Sequence, residues 1–201
     1  YYAYQDAGID HAGGEGVYGE VFLAVLESLA FFESDVLTLI EQALLYIPKQ
    51  SVTARAILDI LDLHRKGLTW QQARQELINR YGTDNFCYAP LNLAFMVLGL
   101  LYGRNFSERL LITVNCGYDT DCTAATVGAI LGILGGAKAI DEKWIAPIGN
   151  GIKVSPQVTG FNAPKNLSEL TERSVKAHRI LKAYFENCSD RSIFAVDPDI
   201  Y

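Results

Sequence analysis

Apolar residues recur along this chain at helical spacing, in blocks separated by short polar punctuation. Residues 17–32 are apolar almost all round, interrupted by Glu20, Glu27 and Ser28, which predicts a helix buried on most faces. Ser34 is placed to cap the next helix. Its apolar positions Val36, Ile40, Ala43, Leu44 and Ile47 follow an i, i+4, i+7, i+8, i+11 spacing until Pro48 ends it. Ser51 opens a third helix with Ala54, Ile57, Leu58 and Leu61 on one face, closing at Lys66-Gly67. Thr69-Trp70-Gln71-Gln72 has the form of a capping box, ahead of a stripe of Trp70, Ala73, Leu77, Ile78 and Tyr81 that Gly82 stops. Residues 86–102 and 106–114 predict two more apolar helices, although the β-branched stretch 111–114 also permits a short strand. A run of small residues follows at 123–136, then a loop-rich stretch at 141–165. Asn166-Leu167-Ser168-Glu169 signals a last long helix with Ala177, Leu181, Tyr184 and Phe185 facing inward, and residues 191–201 read as irregular. Strands do not alternate with helices, no fixed repeat recurs, and no linker breaks the chain. The pattern predicts a single all-α domain over residues 1–201.

Composition narrows the picture. Half of the 201 residues are apolar and 20% are charged, an ordinary globular balance. Net charge is -6, with 17 basic residues against 23 acidic ones and no basic cluster, which argues against a duplex nucleic acid partner. The apolar runs at 86–103 and 123–137 are broken by Pro90 and Asn92 or fall short of the about 20 residues that cross a bilayer, so neither predicts a membrane span. Cys87, Cys116, Cys122 and Cys188 form no Cys-x-x-Cys pair. That pattern disfavours a disulfide framework or a zinc site and suits a reducing, cytoplasmic setting. Cys116 and Cys122 lie near enough in sequence to suggest redox chemistry, although small buried apolar residues are the commoner use of cysteine.

Chemistry concentrates in Asn115-Cys116-Gly117-Tyr118-Asp119-Thr120-Asp121-Cys122. Two carboxylates stand two residues apart, after a glycine and at the start of a buried helix. Close acids in apolar surroundings are costly unless a cation neutralises them, so the pattern points to a hard divalent ion. The alternative is structural: Asp121 caps the helix while Asp119 shapes the turn. Gly128, Gly132, Gly135 and Gly136 each cost about 1 kcal/mol in a helix relative to alanine. Their spacing predicts close approach of another backbone, and no Gly-Lys-Ser/Thr follows to make a phosphate loop.

The stretch from Gly117 to Gly132 resembles the C-terminal metal motif of the ADP-ribosylglycohydrolase family. Asp10-His11-Ala12-Gly13-Gly14-Glu15-Gly16-Val17-Tyr18-Gly19 resembles the family's Thr/Ser-His segment, and Asp141-Glu142-Lys143-Trp144 its Pro-Glu-Lys-Trp. The likeness runs in order from Asp10 to Leu181. It implies an all-α orthogonal bundle whose cleft holds two divalent cations, usually Mg2+, with Mn2+ or Ca2+ as alternatives. By match to the motif, Asp119 and Asp121 are metal ligands and, through the water they help position, catalytic residues. Cys122 stands where the family usually has threonine or serine as a further ligand. A thiol is a soft partner for magnesium, so either water or Thr123 replaces it or metal preference differs.

The resemblance further implies that His11, Gly13, Gly14, Tyr18 and Asn115 bind substrate, with Gly16 also allowing close backbone approach. Glu15 is either a proton shuttle or a cap, and the cap is preferred; His64 and His178 read as surface or packing residues. The family's N-terminal Thr-Asp-Asp-Thr is absent from the sequence. The chain therefore reads as the C-terminal two thirds of a glycohydrolase, inactive by itself, whose missing segment is a lost piece or a separate partner chain. The implied activity is metal-dependent hydrolysis of the glycosidic bond in ADP-ribose attached to a protein or small molecule. A non-catalytic ADP-ribose-binding or structural member of the same fold is the alternative.

Overall fold

The computed structural model describes residues 1–187, so Cys188 and the tail expected to be irregular at 191–201 lie outside the described residues. The chain forms two compact units, the first over residues 1–140 and the second beginning at Asp141. Every regular element among the described residues is helical, including the stretch 111–114, and the fold is all-α.

In the first unit the helices are α1 (Tyr2–Asp10), α2 (Glu15–Leu29), α3 (Val36–Ala43), α4 (Val52–Arg65), α5 (Trp70–Tyr81), α6 (Ala89–Tyr102), α7 (Phe106–Asn115) and α8 (Thr120–Gly135). Helix α6 is the axis of the core. Its residues from Pro90 through Leu100 are all buried, and α2, α3, α4, α5, α7 and α8 pack around it. A helix apolar on every face has no solvent side to offer, so it takes the centre. The capping box at Thr69 and Gln72 forms as read, and Ser51 accepts from the Ala54 amide at 3.0 Å to start α4.

Several expectations are corrected. Asp35, rather than Ser34, caps α3 by accepting from the Thr38 amide at 2.8 Å, and that hydrogen bond lowers the Asp35 pKa. The helix starts one residue later than the pattern suggested, so the carboxylate takes the cap. Leu58 is exposed, because the buried face of α4 turns toward Thr53, Ile60 and Leu63. The tyrosine-rich opening forms α1, a helix with weak periodicity and one buried residue, Ala7.

The glycines of α8 are not where backbones meet most closely. A Cβ at Gly132 would meet nothing within 4 Å, and one at Gly128 would only touch Leu110 at 3.7 Å. The tight approach is between α6 and α7. A Cβ at Gly99 would lie 1.9 Å from Thr113 Oγ1, and one at Gly103 would lie 2.5 Å from the Arg109 amide nitrogen.

The second unit holds α9 (Glu142–Ile145), α10 (Leu167–Asn187) and an isolated antiparallel bridge between Gly151 and Asn166. Asn166 caps α10 by accepting from the Glu169 amide at 2.9 Å, as the sequence signals. Of the inward stripe predicted for α10, Ala177 and Leu181 are exposed, and the side chains of Tyr184 and Phe185 lie outside the described set.

Candidate functional site

The acidic turn is built by two consecutive residues of left-handed backbone, Gly117 at φ 81° and Tyr118 at φ 62°. A side chain in that region costs on the order of 1–3 kcal/mol, so Tyr118 must be held from outside. Its ring packs edge-on against Phe95 at 5.8 Å, and its hydroxyl donates to the Thr83 carbonyl at 3.2 Å. Just upstream, Arg74 Nε donates to the Cys116 carbonyl at 2.8 Å. This places a guanidinium at the C-terminus of α7, where orphan carbonyls attract positive charge.

The turn delivers Asp119 to the N-cap position of α8, yet its side chain makes no capping hydrogen bond. Asp121 sits exposed in the first helical turn. No side-chain hydrogen bond caps α8. A carboxylate oxygen from each and the Cys122 sulfur all lie within 4.8 Å of one another. The Cys122 thiol donates to the Asp119 carboxylate, and that bond raises its pKa, with desolvation and the charges of Asp119, Asp121 and Cys87 adding to the rise. Thr123 Oγ1 donates to the Asp119 carbonyl at 2.9 Å, which spends its proton on the backbone.

Asp119 and Cys122 line a cavity of about 220 Å³ together with His11, Gly16, Gly19, Glu20, Cys87, Asn92, Thr123 and Thr126. Asn92 was legible in sequence only as a polar break in an apolar run. In the fold it is buried, its Oδ1 accepts from the Asp119 amide at 3.2 Å, and its Nδ2 donates to the Phe86 and Tyr88 carbonyls at 2.8 and 3.3 Å. One carboxamide thus ties the acidic turn to the start of α6.

Across the cavity His11 Nε2 lies 2.7 Å from a Glu20 carboxylate oxygen. Glu20, which sequence reading treated as an interruption of the apolar pattern, fixes the imidazole. Gly16 makes room for that ring, since a Cβ there would fall 2.9 Å from His11 Cγ. Gly16 also lines the cavity. Glu15 caps α4, not its own helix. It accepts from the Val52 and Thr53 amides at 2.8 Å each and from the Thr53 hydroxyl at 2.7 Å. Both its oxygens are committed, which removes it as a proton shuttle.

Of the residues expected to bind substrate, the structure brings only His11 into this cavity. Gly13 and Gly14 lie in the exposed loop before α2 and take positive φ, 116° and 72°, with open space where a Cβ would be. Tyr18 is half-buried against the core. Asn115 is exposed and donates to the Leu111 carbonyl of its own helix at 2.7 Å. His64 is exposed and stacks edge-on with Tyr102, and His178 is exposed on α10.

Compared with known proteins, residues 1–180 match the family model for ADP-ribosylglycohydrolase. No curated protein and no solved structure matches the chain.

Proposed function

Because the chain belongs to the ADP-ribosylglycohydrolase family, we propose that it hydrolyses the glycosidic bond of ADP-ribosylated substrates with divalent cations held in part by Asp119 and Asp121. One observation carries this reading: two carboxylates at a strained turn are clustered within 4.8 Å and neither is spent on capping. Their donor chemistry fits a hard ion. Two carboxylates suit magnesium, which prefers oxygen and completes its shell with water and substrate phosphates. Cys122 is a soft donor engaged with Asp119 and suits manganese or another thiophilic ion better. A divalent cation bound here supplies charge neutralisation and polarisation of substrate oxygens.

The remaining tasks fall to the chain's own residues. Cleavage at the anomeric carbon passes through an oxocarbenium-like state, which needs the sugar held and a water delivered on one face. The cavity of about 220 Å³ is smaller than pockets that enclose whole nucleotide-sized ligands and suits one sugar. His11, oriented by Glu20, faces that space and is placed to hydrogen-bond a ribose hydroxyl or a phosphate oxygen. Asn92 keeps the acidic turn in register with the cavity wall. No helix among the described residues is long and apolar enough to cross a membrane, and free exposed thiols suit the cytoplasm, where we place the protein.

The test is release of ADP-ribose from ADP-ribosylated peptide or small molecule by the full-length protein with magnesium. Asp119→Ala and Asp121→Ala should each abolish release, and chelation followed by added magnesium should remove and restore it. Undiminished turnover in either variant would overturn the metal assignment. Magnesium-dependent binding of ADP-ribose without turnover would make the protein a non-catalytic member of the fold.

A further inference from the structure

A second cavity, of about 440 Å³, is walled by Arg55 from early in α4, Arg80 and Tyr81 from the end of α5, and Thr83 and Tyr88 from the stretch that follows. The chain carries a net charge of -6, yet no carboxylate stands among the described residues that line this space.

Arg55 is the residue without an occupation. Every other arginine within residues 1–140 engages its guanidinium inside the protein: Arg65 with Glu41, Arg74 with the Cys116 carbonyl, Arg80 with Asp59 and Glu76, Arg104 with Glu108, and Arg109 with the Gly103 carbonyl. Among the described residues the Arg55 side chain makes no hydrogen bond and no ion pair. The cause lies on its own helix. Asp59 stands four residues on, at the spacing of an intrahelical ion pair. Its Oδ2 instead accepts from the Tyr81 hydroxyl at 2.7 Å and pairs with Arg80 at 2.9 Å. Helix α5 therefore takes the carboxylate that α4 would offer and leaves the Arg55 charge on the cavity wall.

We propose that this cavity binds a phosphate-type oxyanion through the Arg55 guanidinium and the Tyr88 hydroxyl. A guanidinium presents a planar fork of N–H donors that matches two phosphate oxygens. The Tyr88 hydroxyl has no hydrogen-bond partner among the described residues and adds a further donor, whereas the Thr83 hydroxyl is engaged with Asn85 of its own turn. The start of α4 contributes nothing: Glu15 takes the Val52 and Thr53 amides, and Ser51 takes that of Ala54. Recognition falls to side chains. Cys87 lines the sugar-sized cavity and Tyr88, the next residue, lines this one. The diphosphate of a substrate seated next door is therefore one source of the anion, and a separate phosphate-bearing molecule is the other. Only the first source rests on the hydrolase reading.

The test is calorimetric titration of inorganic pyrophosphate into the full chain in metal-free buffer, where Asp119 and Asp121 hold no cation. Saturable binding is expected, weakened about tenfold or more by Arg55→Ala, as loss of a charged hydrogen-bond donor implies. Arg55→Lys keeps the charge without the fork and should recover only part of that loss. Tyr88→Phe should weaken binding to a smaller extent, and Arg65→Ala, whose guanidinium is engaged with Glu41, should leave it unchanged. Absence of binding to the unaltered protein would overturn the proposal. So would equal affinity in an Arg55→Ala variant that melts like the unaltered protein. Once Arg55-dependent binding is seen, displacement of pyrophosphate by ADP-ribose assigns the site to the substrate's diphosphate, and binding of both together assigns it to a separate ligand; each supports the site. Loss of hydrolysis has no bearing on this readout, so the two readings fail separately.

Discussion

Asn92 shows how a single polar side chain can set a site from within a core. It lies among the eleven consecutive buried residues of α6 and makes three hydrogen bonds, one of them to the amide that begins the acidic helix. Asn92→Ala removes the side-chain partner of the Asp119 amide and of the Phe86 carbonyl, whereas the Tyr88 carbonyl keeps the backbone amide of residue 92, at a cost of about 1–3 kcal/mol for a buried unsatisfied group. The variant should fold with a lower melting temperature and bind magnesium more weakly, as read by calorimetric titration. Unchanged affinity in a folded variant would show that the turn holds its shape without Asn92. At this scale the sequence was partly legible. Asp119 and Asp121 were marked by their spacing, and His11 by its motif. Glu20, Asn92 and Cys87 were not, because each reaches the site through a contact far along the chain: nothing local distinguishes a carboxylate that meets a histidine nine positions away from one that faces solvent.

At the scale of elements, helix identity followed from periodicity and caps, whereas the intimacy of packing did not. Glycines in α8 predicted a close backbone, yet the close approach is of α6 to α7 at Gly99 and Gly103. A lone glycine in an apolar helix carries no mark of what it faces; only the partner helix reveals it. Gly99→Ala puts a Cβ 1.9 Å from Thr113 Oγ1 and 3.0 Å from the Arg109 carbonyl, both on a helix that cannot shift alone. Chemical denaturation should show a loss of about 1–3 kcal/mol. Gly132→Ala meets nothing within 4 Å and should instead gain up to about 1 kcal/mol from helix propensity. The reverse order of stabilities would refute this assignment of the tight interface. Helix α1 escaped sequence reading because its apolar residues lack a clear face, and Ala177 and Leu181 of α10 are exposed because amphipathic spacing states only that a helix has an apolar side, not that anything covers it.

For the whole molecule, the charge states of one buried and one half-buried group predict how stability follows pH. The Cys116 thiol is raised from 9.0 to about 12 by burial, and the Tyr81 hydroxyl from 10.0 to about 12 by burial and its hydrogen bond to Asp59. Both ionise more readily in the unfolded chain. Their contribution is complete below pH 9 and falls as pH rises toward about 12, by a few kcal/mol for buried Cys116 on the order set by 1.36 kcal/mol per pKa unit, and by less for Tyr81, whose partial exposure lets solvent screen it. Denaturant midpoints measured up that range should drop, and Tyr81→Phe should flatten the upper part of the decline. A midpoint independent of pH there would mean that neither group is sequestered. The all-α architecture was readable from the chain as a whole, since no segment combined strand alternation with turn chemistry.

The central claim is that the turn after α7 exists to hold a divalent cation. Isothermal titration of magnesium into the full-length protein, compared with Asp119→Ala, tests it most directly. Saturable binding that disappears in the variant, while its helical content and melting stay like those of the unaltered protein, is the predicted result. Identical binding in both proteins, or none in either, would contradict it.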